Sequence, residues 1–205
     1  MLDAARSLFA EQGFDAQMED VARRAGVGVG TIYRHYPTKE APIQELLAER
    51  MRRLTVEARS ARAEEPRAWE AFARFLAAVA DTQADDRSLV QFIAGQIRAG
   101  DDLRLAQAEL YTEMTSLIEA AQAEGSLRRE IAPGDVPLLL SGVGRSIWIT
   151  GEHAPVLTRR YLAVILDGLR APGTTSLPGH PLTLDDMSRI LYRDELDDGE
   201  LRRRR

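Results

Sequence analysis

The sequence predicts an all-α protein, and three observations lead to that fold class. Apolar residues recur at helical spacing, three or four positions apart, along most of the 205-residue chain. Glycines and prolines stand where these apolar runs stop, as at Gly13, Gly26 and Pro66. Hydrophobic residues make up 44% of the chain, enough for one good core or for one core with a small appended module.

The first 37 residues predict three short helices. The first ends at Gly13 and the second at Gly26, where glycine serves as a C-terminal cap. The third runs from about Val29 to Tyr36, because Pro37 disfavours helical geometry in the residue before it. Apolar residues at helical spacing mark the first two helices: Leu2, Ala5, Leu8 and Phe9, then Met18, Val21, Ala22 and Ala25.

A long fourth helix follows and links this amino-terminal part to the rest of the chain. Thr38 is the predicted N-cap, and the helix continues until Pro66 interrupts it. With that start, Pro42 lies one position beyond the first turn, so we expect a mild kink there.

The remaining helices predict a bundle. Apolar faces recur at Trp69, Phe72, Leu76 and Val79, at Leu89, Phe92, Ile93 and Ile97, and at Leu110, Met114, Leu117, Ile118 and Ala121. Two further helices are expected over residues 135–150 and 155–169. After Arg170 comes a proline- and glycine-rich linker with a short helix capped by Thr183, in a carboxy-terminal tail that we expect to be flexible.

The two short helices around Gly26 match the helix-turn-helix motif. A tight glycine turn with an apolar residue, Val27, joins them, and in this motif the second helix enters the DNA major groove. Gly28 and Gly30 at the start of that helix let its backbone approach a phosphate or a base edge closely. Ile32 is expected to face inward, which leaves the polar side chains of the helix facing out.

The stretch "ARSLFAEQGFDAQMEDVARRAGVGVGTIYRHYPTKEA" resembles the DNA-binding domain of the TetR/AcrR family of bacterial transcriptional repressors. The resemblance covers about the first 45 residues in order and spacing. It implies a DNA-binding domain over residues 1–45 and a ligand-binding and dimerisation domain over residues 46–170, with the tail at 171–205.

The resemblance also implies a set of DNA-binding residues. Base contacts are expected around Val29, Gly30, Thr31 and Tyr33, and phosphate contacts around Gln17, His35, Tyr36 and Lys39; Met18, Glu19, Gly28 and Arg34 complete the candidate set. Taken singly, the two tyrosines also fit core positions in which only the hydroxyl reaches water, and His35 and Lys39 fit ordinary surface positions. Their joint order in a helix-turn-helix frame favours DNA contacts.

Two departures from the family pattern affect the expected binding. Gln17 stands where the family usually has threonine or serine, and glutamine caps a helix poorly. Val29 and Gly30 offer bases a methyl surface and bare backbone, without a bidentate side chain. Direct readout then depends on Thr31 and Tyr33, with Glu19 or Arg34 as further candidates.

The resemblance implies an effector pocket within the bundle. Its candidate lining is a set of aromatic and flexible side chains: Trp69, Phe72, Phe75, Phe92, Tyr111, Met114, Ile118 and Trp148. Plain core packing is the alternative for each of them, because every buried helix shows this spacing.

A homodimer is expected from the last two helices. The stretch "DVPLLLSGVGRSIWIT" is apolar nearly all round and needs cover on two sides. In the resembled family, the last two main helices of each subunit build a four-helix dimer interface, and the matching candidates are Leu139, Gly142, Val143, Ser146, Tyr161, Ile165 and Leu169. The alternative is that this pair forms the inner layer of a monomer.

Composition limits the other function classes. Residues 1–62 hold ten basic against nine acidic side chains, a net of +1, so the remainder of the chain, whose total is −5, carries −6. The chain has no cysteine and only three scattered histidines, so we expect no metal or other cofactor, and His153 beside Glu152 is the only local pair suggesting catalysis. Neither a membrane span nor a signal peptide is evident, so a cytoplasmic location is expected.

These features predict a ligand-responsive transcriptional regulator without catalytic activity. We expect a homodimeric repressor that binds a palindromic double-stranded DNA operator and is released by a small-molecule effector. One alternative is a helical dimeric ligand-binding or interaction protein whose DNA-binding function has lapsed, because the basic arm common before the family's first helix does not precede Leu2 here.

Overall fold

A computed structural model describes residues 1–85, 99–150, 154–173, 175–183 and 186, without the side chains of residues 14, 83–85, 143–150 and 154–155. The described residues form eight α-helices and no β-strand, which confirms the all-α fold class. The helices are α1 (Leu2–Gln12), α2 (Met18–Ala25), α3 (Val29–His35), α4 (Glu40–Glu64), α5 (Ala68–Asp85), α6 (Asp101–Ala123), α7 (Asp135–Thr150) and α8 (Ala154–Leu169). The predicted apolar run from Leu89 to Ile97 lies outside the described residues.

The turn between α2 and α3 is built around Gly26. This residue adopts the left-handed conformation, with φ of 68°, which glycine reaches without steric cost. Its N–H donates to the carbonyl of Arg23 at 3.2 Å, and the N–H of Val27 donates to the carbonyl of Ala22 at 3.0 Å. The pair of bonds forms a Schellman motif that satisfies two carbonyls at the end of α2 and confirms the predicted stop.

The start of α4 differs from the sequence-based expectation. Lys39, not Thr38, is the N-cap residue, and no side chain caps the helix there. Pro42 is therefore the third helical residue, and its missing N–H is one of the donors that a first turn leaves unpaired anyway. The reason for expecting a kink at Pro42 disappears with this start.

Helix α4 buries different kinds of side chain along its length. Its first half buries large apolar residues, among them Ile43, Leu47 and Met51, whereas its last ten residues bury only Thr55, Ala58 and Ala61. These small residues allow α4 to lie close to α5 and α6.

Ion pairs flank α4 at that close approach. Arg74 of α5 donates to Glu57 at 2.9 Å and to Glu64 at 2.8 Å, and Arg59 donates to Glu113 of α6 at 2.7 Å. These carboxylates and guanidiniums fix how α4 sits between its two neighbours.

One buried cluster of apolar residues extends through the described part of all eight helices. Among its fully buried large side chains are Phe9 and Ile32 near the amino terminus and Phe72, Leu103 and Ile118 in the bundle. The longest helices therefore share a core with the short amino-terminal ones. None of the helices within the described residues has the length and apolar character needed to cross a membrane.

The carboxy-terminal segment differs from the predicted free tail. In its described part, the N–H of Ala171 donates to Ser126 O at 3.0 Å, and Leu182 O accepts from the N–H of Gly134 at 3.0 Å. The predicted cap is present, since the Thr183 hydroxyl accepts from the N–H of Asp186 at 3.1 Å. Residues 171–173 and 175–183 are thus bound back onto the bundle instead of extending away from it.

Glu124, just after α6, caps the start of α5. Its carboxylate accepts from the Ser126 hydroxyl at 2.6 Å and from the N–H of Trp69 at 3.1 Å. The Ser126 bond, followed by the backbone bond, holds the pKa of Glu124 below its ordinary value. The ionised form therefore stabilises the folded chain more than the unfolded chain.

We predict that Glu124→Gln lowers the free energy of unfolding at pH 7, since an amide accepts these bonds more weakly than a carboxylate. The carboxylate's contribution is complete above the ordinary pKa of about 4.5 and is lost as the pH falls through the lowered pKa. The difference between the two proteins in urea unfolding should therefore narrow on acidification. Glu119→Gln, at an exposed position on α6, is the control; a difference independent of pH would contradict the assignment.

Candidate nucleic-acid interface

Helix α3 is held by its inner face and presents its outer face. Ile32 is fully buried in the shared core, and the N–H groups of Thr31 and Ile32 both donate to Gly28 O, at 2.9 and 3.3 Å. Because Ile32 fixes the rotation of this seven-residue helix, residues on the opposite side remain accessible.

The outer face of α3 contains the residues predicted to read bases. Val29 is 42% and Tyr33 41% exposed, and Gly30 is exposed between them. Positions 29, 30 and 33 share a helical face, and Thr31 at its edge is half-buried. The structure therefore brings the four candidate base-contact residues together on one accessible surface.

The two glycines of this surface are not needed by the fold. A methyl group added at Gly30 would meet nothing within 4 Å, and one at Gly28 would meet only the Thr31 hydroxyl, at 4.0 Å. Gly28 has an ordinary φ of −69°. Neither steric crowding nor backbone conformation requires glycine here, so the bare backbone at the start of α3 is available for contact with another molecule.

The last turn of α3 is tied to α4 by Tyr36. This half-buried side chain packs on the core, and its hydroxyl lies near the carboxylate of Glu45 on α4. Burial, followed by the negative charge of Glu45, raises the pKa of the Tyr36 hydroxyl. Sequence reasoning missed Glu45, because its proximity to Tyr36 depends on the direction that α4 takes after the turn at Pro37.

The basic side chains of α3 and its flank differ in their surroundings. Arg34 is exposed and its Nε donates to the carbonyl of Gly30, 3.1 Å away in its own helix. His35 is exposed, with its ring edge-on to Tyr36 at a centroid distance of 6.0 Å. Within the described residues, no carboxylate lies within ion-pair distance of Arg34 or Lys39, whereas Arg24 of α2 pairs with Glu11 at 2.9 Å.

The residues before α2 give one confirmation and one correction. Gln17 is the N-cap of α2 but makes no side-chain capping bond, as expected; its Nε2 donates to Asp15 O at 2.7 Å. Met18 is only 1% exposed, so its side chain belongs to the core and does not reach DNA. Glu19 beside it is exposed.

The candidate pocket residues lie in the core of the bundle. Five of them, Trp69, Phe72, Phe75, Met114 and Ile118, are buried in the shared cluster, and Tyr111 packs against it. Burial raises the pKa of Tyr111, whose hydroxyl accepts from Gln107 Nε2 at 3.1 Å. Phe92 and the side chain of Trp148 lie outside the described part. The burial of the six described residues is compatible both with core packing and with the wall of a pocket, so the effector pocket stays a prediction.

The candidate dimer residues divide into accessible and buried positions. Leu139, Gly142 and Tyr161 are exposed and Ile165 is half-buried, whereas Leu169 is 4% exposed. Leu169 is therefore a core residue of its own subunit, which corrects its assignment to an interface. The side chains of Val143 and Ser146 are not described.

The set of candidate dimer residues leaves out the two most exposed large apolar side chains described on α8. Val156 is 73% and Val164 64% exposed, eight positions apart and so on one face of the helix. An unpaired apolar face on α8 was detectable from this spacing, once the face packed on the core had been assigned to Leu162 and Leu169.

Other kinds of site are not evident. The part of the chain that the structure describes contains no group of three or more histidines and carboxylates placed to hold a metal ion. The histidine and glutamate at 153 and 152 lie outside it.

The fold and this surface define a helix-turn-helix protein whose second helix is free to enter a groove of DNA. A family model described as "Bacterial regulatory proteins, tetR family" matches residues 1–46, and one described as "Transcriptional regulator SbtR-like, C-terminal domain" matches residues 67–171. The chain belongs to the TetR family of bacterial transcriptional regulators.

Relatives agree with this assignment. The chain is 29% identical over 196 residues to the HTH-type transcriptional repressor KstR2 of Rhodococcus jostii, covering 84% of this chain and 90% of the relative. It is similar to the TetR transcriptional regulator SCO0520 from Streptomyces coelicolor, with 30% identity, a TM-score of 0.58 and coverage of 85% and 97%. A TetR regulator from Mycobacterium vanbaalenii shares 33% identity, with a TM-score of 0.53 and coverage of 83% and 92%.

The contact between Tyr36 and Glu45 gives a test of how α3 is held. We expect Tyr36→Phe to lower the free energy of unfolding by at most about 1 kcal/mol, the usual net value of one hydrogen bond. Tyr33→Phe is the matched control, because the Tyr33 side chain lies on the exposed face of the same helix. Equal urea midpoints for the two variants would show that the Tyr36 hydroxyl does not anchor α3.

Proposed function

We propose that this regulator is a ligand-responsive repressor that binds a palindromic operator as a homodimer in the cytoplasm. The observation that carries the proposal is the accessible α3 face of Val29, Gly30 and Tyr33, held in a helix-turn-helix frame by Ile32. In such frames the second helix lies in the major groove, and two subunits read half-sites about one DNA turn apart.

Contacts to the DNA backbone account for most of the proposed affinity. His35 and Lys39 lie at the end of α3 and the start of α4, where they are positioned to meet phosphates. Tyr36 acts mainly as a positioning residue, because its side chain packs on the core and its hydroxyl lies near Glu45. Phosphate contacts of this kind set register on the duplex without reading its sequence.

Base reading depends on few groups. Val29 presents methyl groups that suit the methyl of thymine, and Thr31 and Tyr33 present hydroxyls. Arg34 becomes a base reader only by giving up its bond to Gly30 O. With so few polar readers, close approach of the Gly30 backbone to the duplex contributes much of the fit.

The homodimer is supported by the exposed apolar side chains of α7 and α8. In a subunit interface, four exposed apolar side chains would lose contact with water: Leu139, Val156, Tyr161 and Val164. The burial of apolar surface would stabilise the dimer by roughly 25 cal/mol for each Å². An interface formed by these two helices does not involve α3, whose main packing partner is α2.

Effector control requires a ligand that favours one arrangement of the dimer. We place the effector in the core between α5 and α6, near Phe72 and Met114, and propose that its complex holds the two α3 helices at the wrong spacing. The ligand must bind that arrangement more tightly than the DNA-competent one, since equal affinity shifts no population. Helix α4 is the proposed connection, since it packs on α1 as well as on α5 and α6.

A fluorescence titration tests the proposal. Labelled DNA flanking the protein's own gene and a scrambled duplex of equal length are titrated at two salt concentrations. We expect tighter binding to the flanking DNA, with a stoichiometry of two chains per site. Equal binding to both duplexes would reject operator recognition, and no binding at low salt by an intact dimer would favour the lapsed DNA reader.

Lys39→Ala tests the phosphate anchor. Removing one phosphate contact should weaken binding to operator and scrambled DNA alike and flatten the plot of log K against log salt by about one unit. Arg159→Ala on α8 removes a positive charge at an exposed position outside the helix-turn-helix and serves as the control. A slope equal to that of the control would place Lys39 away from the phosphates.

Gly30→Ala separates folding from DNA contact at the start of α3. The added methyl group enters open space, so the melting temperature should stay the same or rise, as alanine favours helix. Operator affinity should fall at least tenfold if the Gly30 backbone meets the duplex. Unchanged affinity would show that this part of α3 faces away from DNA.

A further inference from the structure

The segment after α8 spans the open end of a helical hairpin. Only three residues separate α7 from α8, so their near ends are joined by the chain itself, and the two helices pack together. At the opposite end, residues 171–173 and 175–183 lead from the carboxy terminus of α8 back to the amino terminus of α7. We refer to these two described stretches together as the strap.

Arg128, in the connection before α7, anchors one end of the strap. Its side chain is 7% exposed, and its backbone N–H donates to Leu169 O at 3.1 Å. The guanidinium donates from Nη1 to Gly168 O at 3.4 Å and from Nη2 to Thr175 O in the strap. A cation that bonds the last carbonyls of a helix stabilises its negative end, so Arg128 joins the last turn of α8 to the strap.

The other end of the strap binds the start of α7. The N–H of Gly134 donates to Leu182 O at 3.0 Å, and the N–H of Leu182 donates to the Asp135 carboxylate at 3.3 Å. These bonds satisfy a free amide at the amino terminus of α7 and a backbone amide of the strap. The strap therefore caps one helix of the hairpin while it is anchored beside the end of the other.

Two glycines make both contacts possible by leaving out a side chain. A Cβ at Gly173 would lie 2.4 Å from Cζ of Arg128, and a Cβ at Gly134 would lie 2.4 Å from Leu182 O. Both distances are far shorter than van der Waals contact. The clash at Gly134 is with backbone, which cannot rotate away as a flexible side chain can.

Between its ends the strap stands away from α7. A cavity of about 440 Å³ separates the two, lined in part by Leu138 and Leu139 of α7 and by Leu177 and Leu182 of the strap. Since this stretch packs incompletely, the docked position depends mainly on the contacts at the two ends.

We propose that the strap fixes the open end of the α7 and α8 hairpin and thereby positions the face that a second copy of the chain binds. Leu139 on α7 and Val164 on α8 belong to that exposed face, and Leu139 also lines the cavity under the strap. Residues 134 and 173 are positioning residues in this role. The inference rests on the homodimer of the proposed function.

The test compares Gly134→Ala and Gly173→Ala with the unmodified protein and with Gly30→Ala, whose added methyl meets open space. Hydrogen exchange of the Leu182 and Ala171 amides reports strap docking, sedimentation over a concentration series gives the subunit dissociation constant, and circular dichroism checks helix content. We expect at least tenfold faster exchange in the strap and at least a tenfold higher dissociation constant for both strap variants, with Gly30→Ala unchanged in both.

The outcomes separate this inference from the proposed function. Faster exchange with a dissociation constant within twofold of the unmodified protein would overturn the positioning role, and unchanged exchange would overturn the anchoring. A monomeric unmodified protein would overturn the inference as well. If the strap variants behave as expected but the unmodified dimer does not prefer its operator, the strap inference stands and operator recognition fails.

Discussion

The rest of the structure depends on the burial of α4 against helices from both parts of the chain. Ile43 and Leu47 in its first half join the core shared with α1, and Ala58 and Ala61 in its second half lie against the bundle. One continuous helix of 25 residues thus connects two sets of contacts. The amino-terminal helices cannot shift far relative to the bundle without disturbing one of these sets.

The DNA-facing surface follows from this constraint. Helix α3 has seven residues, too few to be stable alone, so it is helical because Ile32 is buried and Tyr36 packs against the core. The same contacts determine which residues point outward. The outer face of α3 therefore contributes little to the stability of the fold. The fold does not require glycine at position 28 or 30.

In the hairpin of α7 and α8, unpaired backbone groups at the helix ends hold the strap in place. The last carbonyls of α8 and the first amides of α7 are groups that a helix leaves unpaired, and Arg128 and the strap satisfy members of both sets. A segment rich in proline and glycine can do this because its backbone groups are free to bond elsewhere. A composition typical of a linker is thus compatible with a docked segment.

The sequence by itself determined the helical fold, the helix ends at Gly13 and Gly26 and the family, because these depend on local chemistry: apolar spacing, the glycine caps and the order of residues around α3. Only the tertiary structure decided that Met18 and Leu169 are core residues, that Glu45 lies near Tyr36 and that the strap is docked. Local patterns show that a helix has an apolar face. They do not show which element covers it, since that depends on packing between residues far apart in the chain.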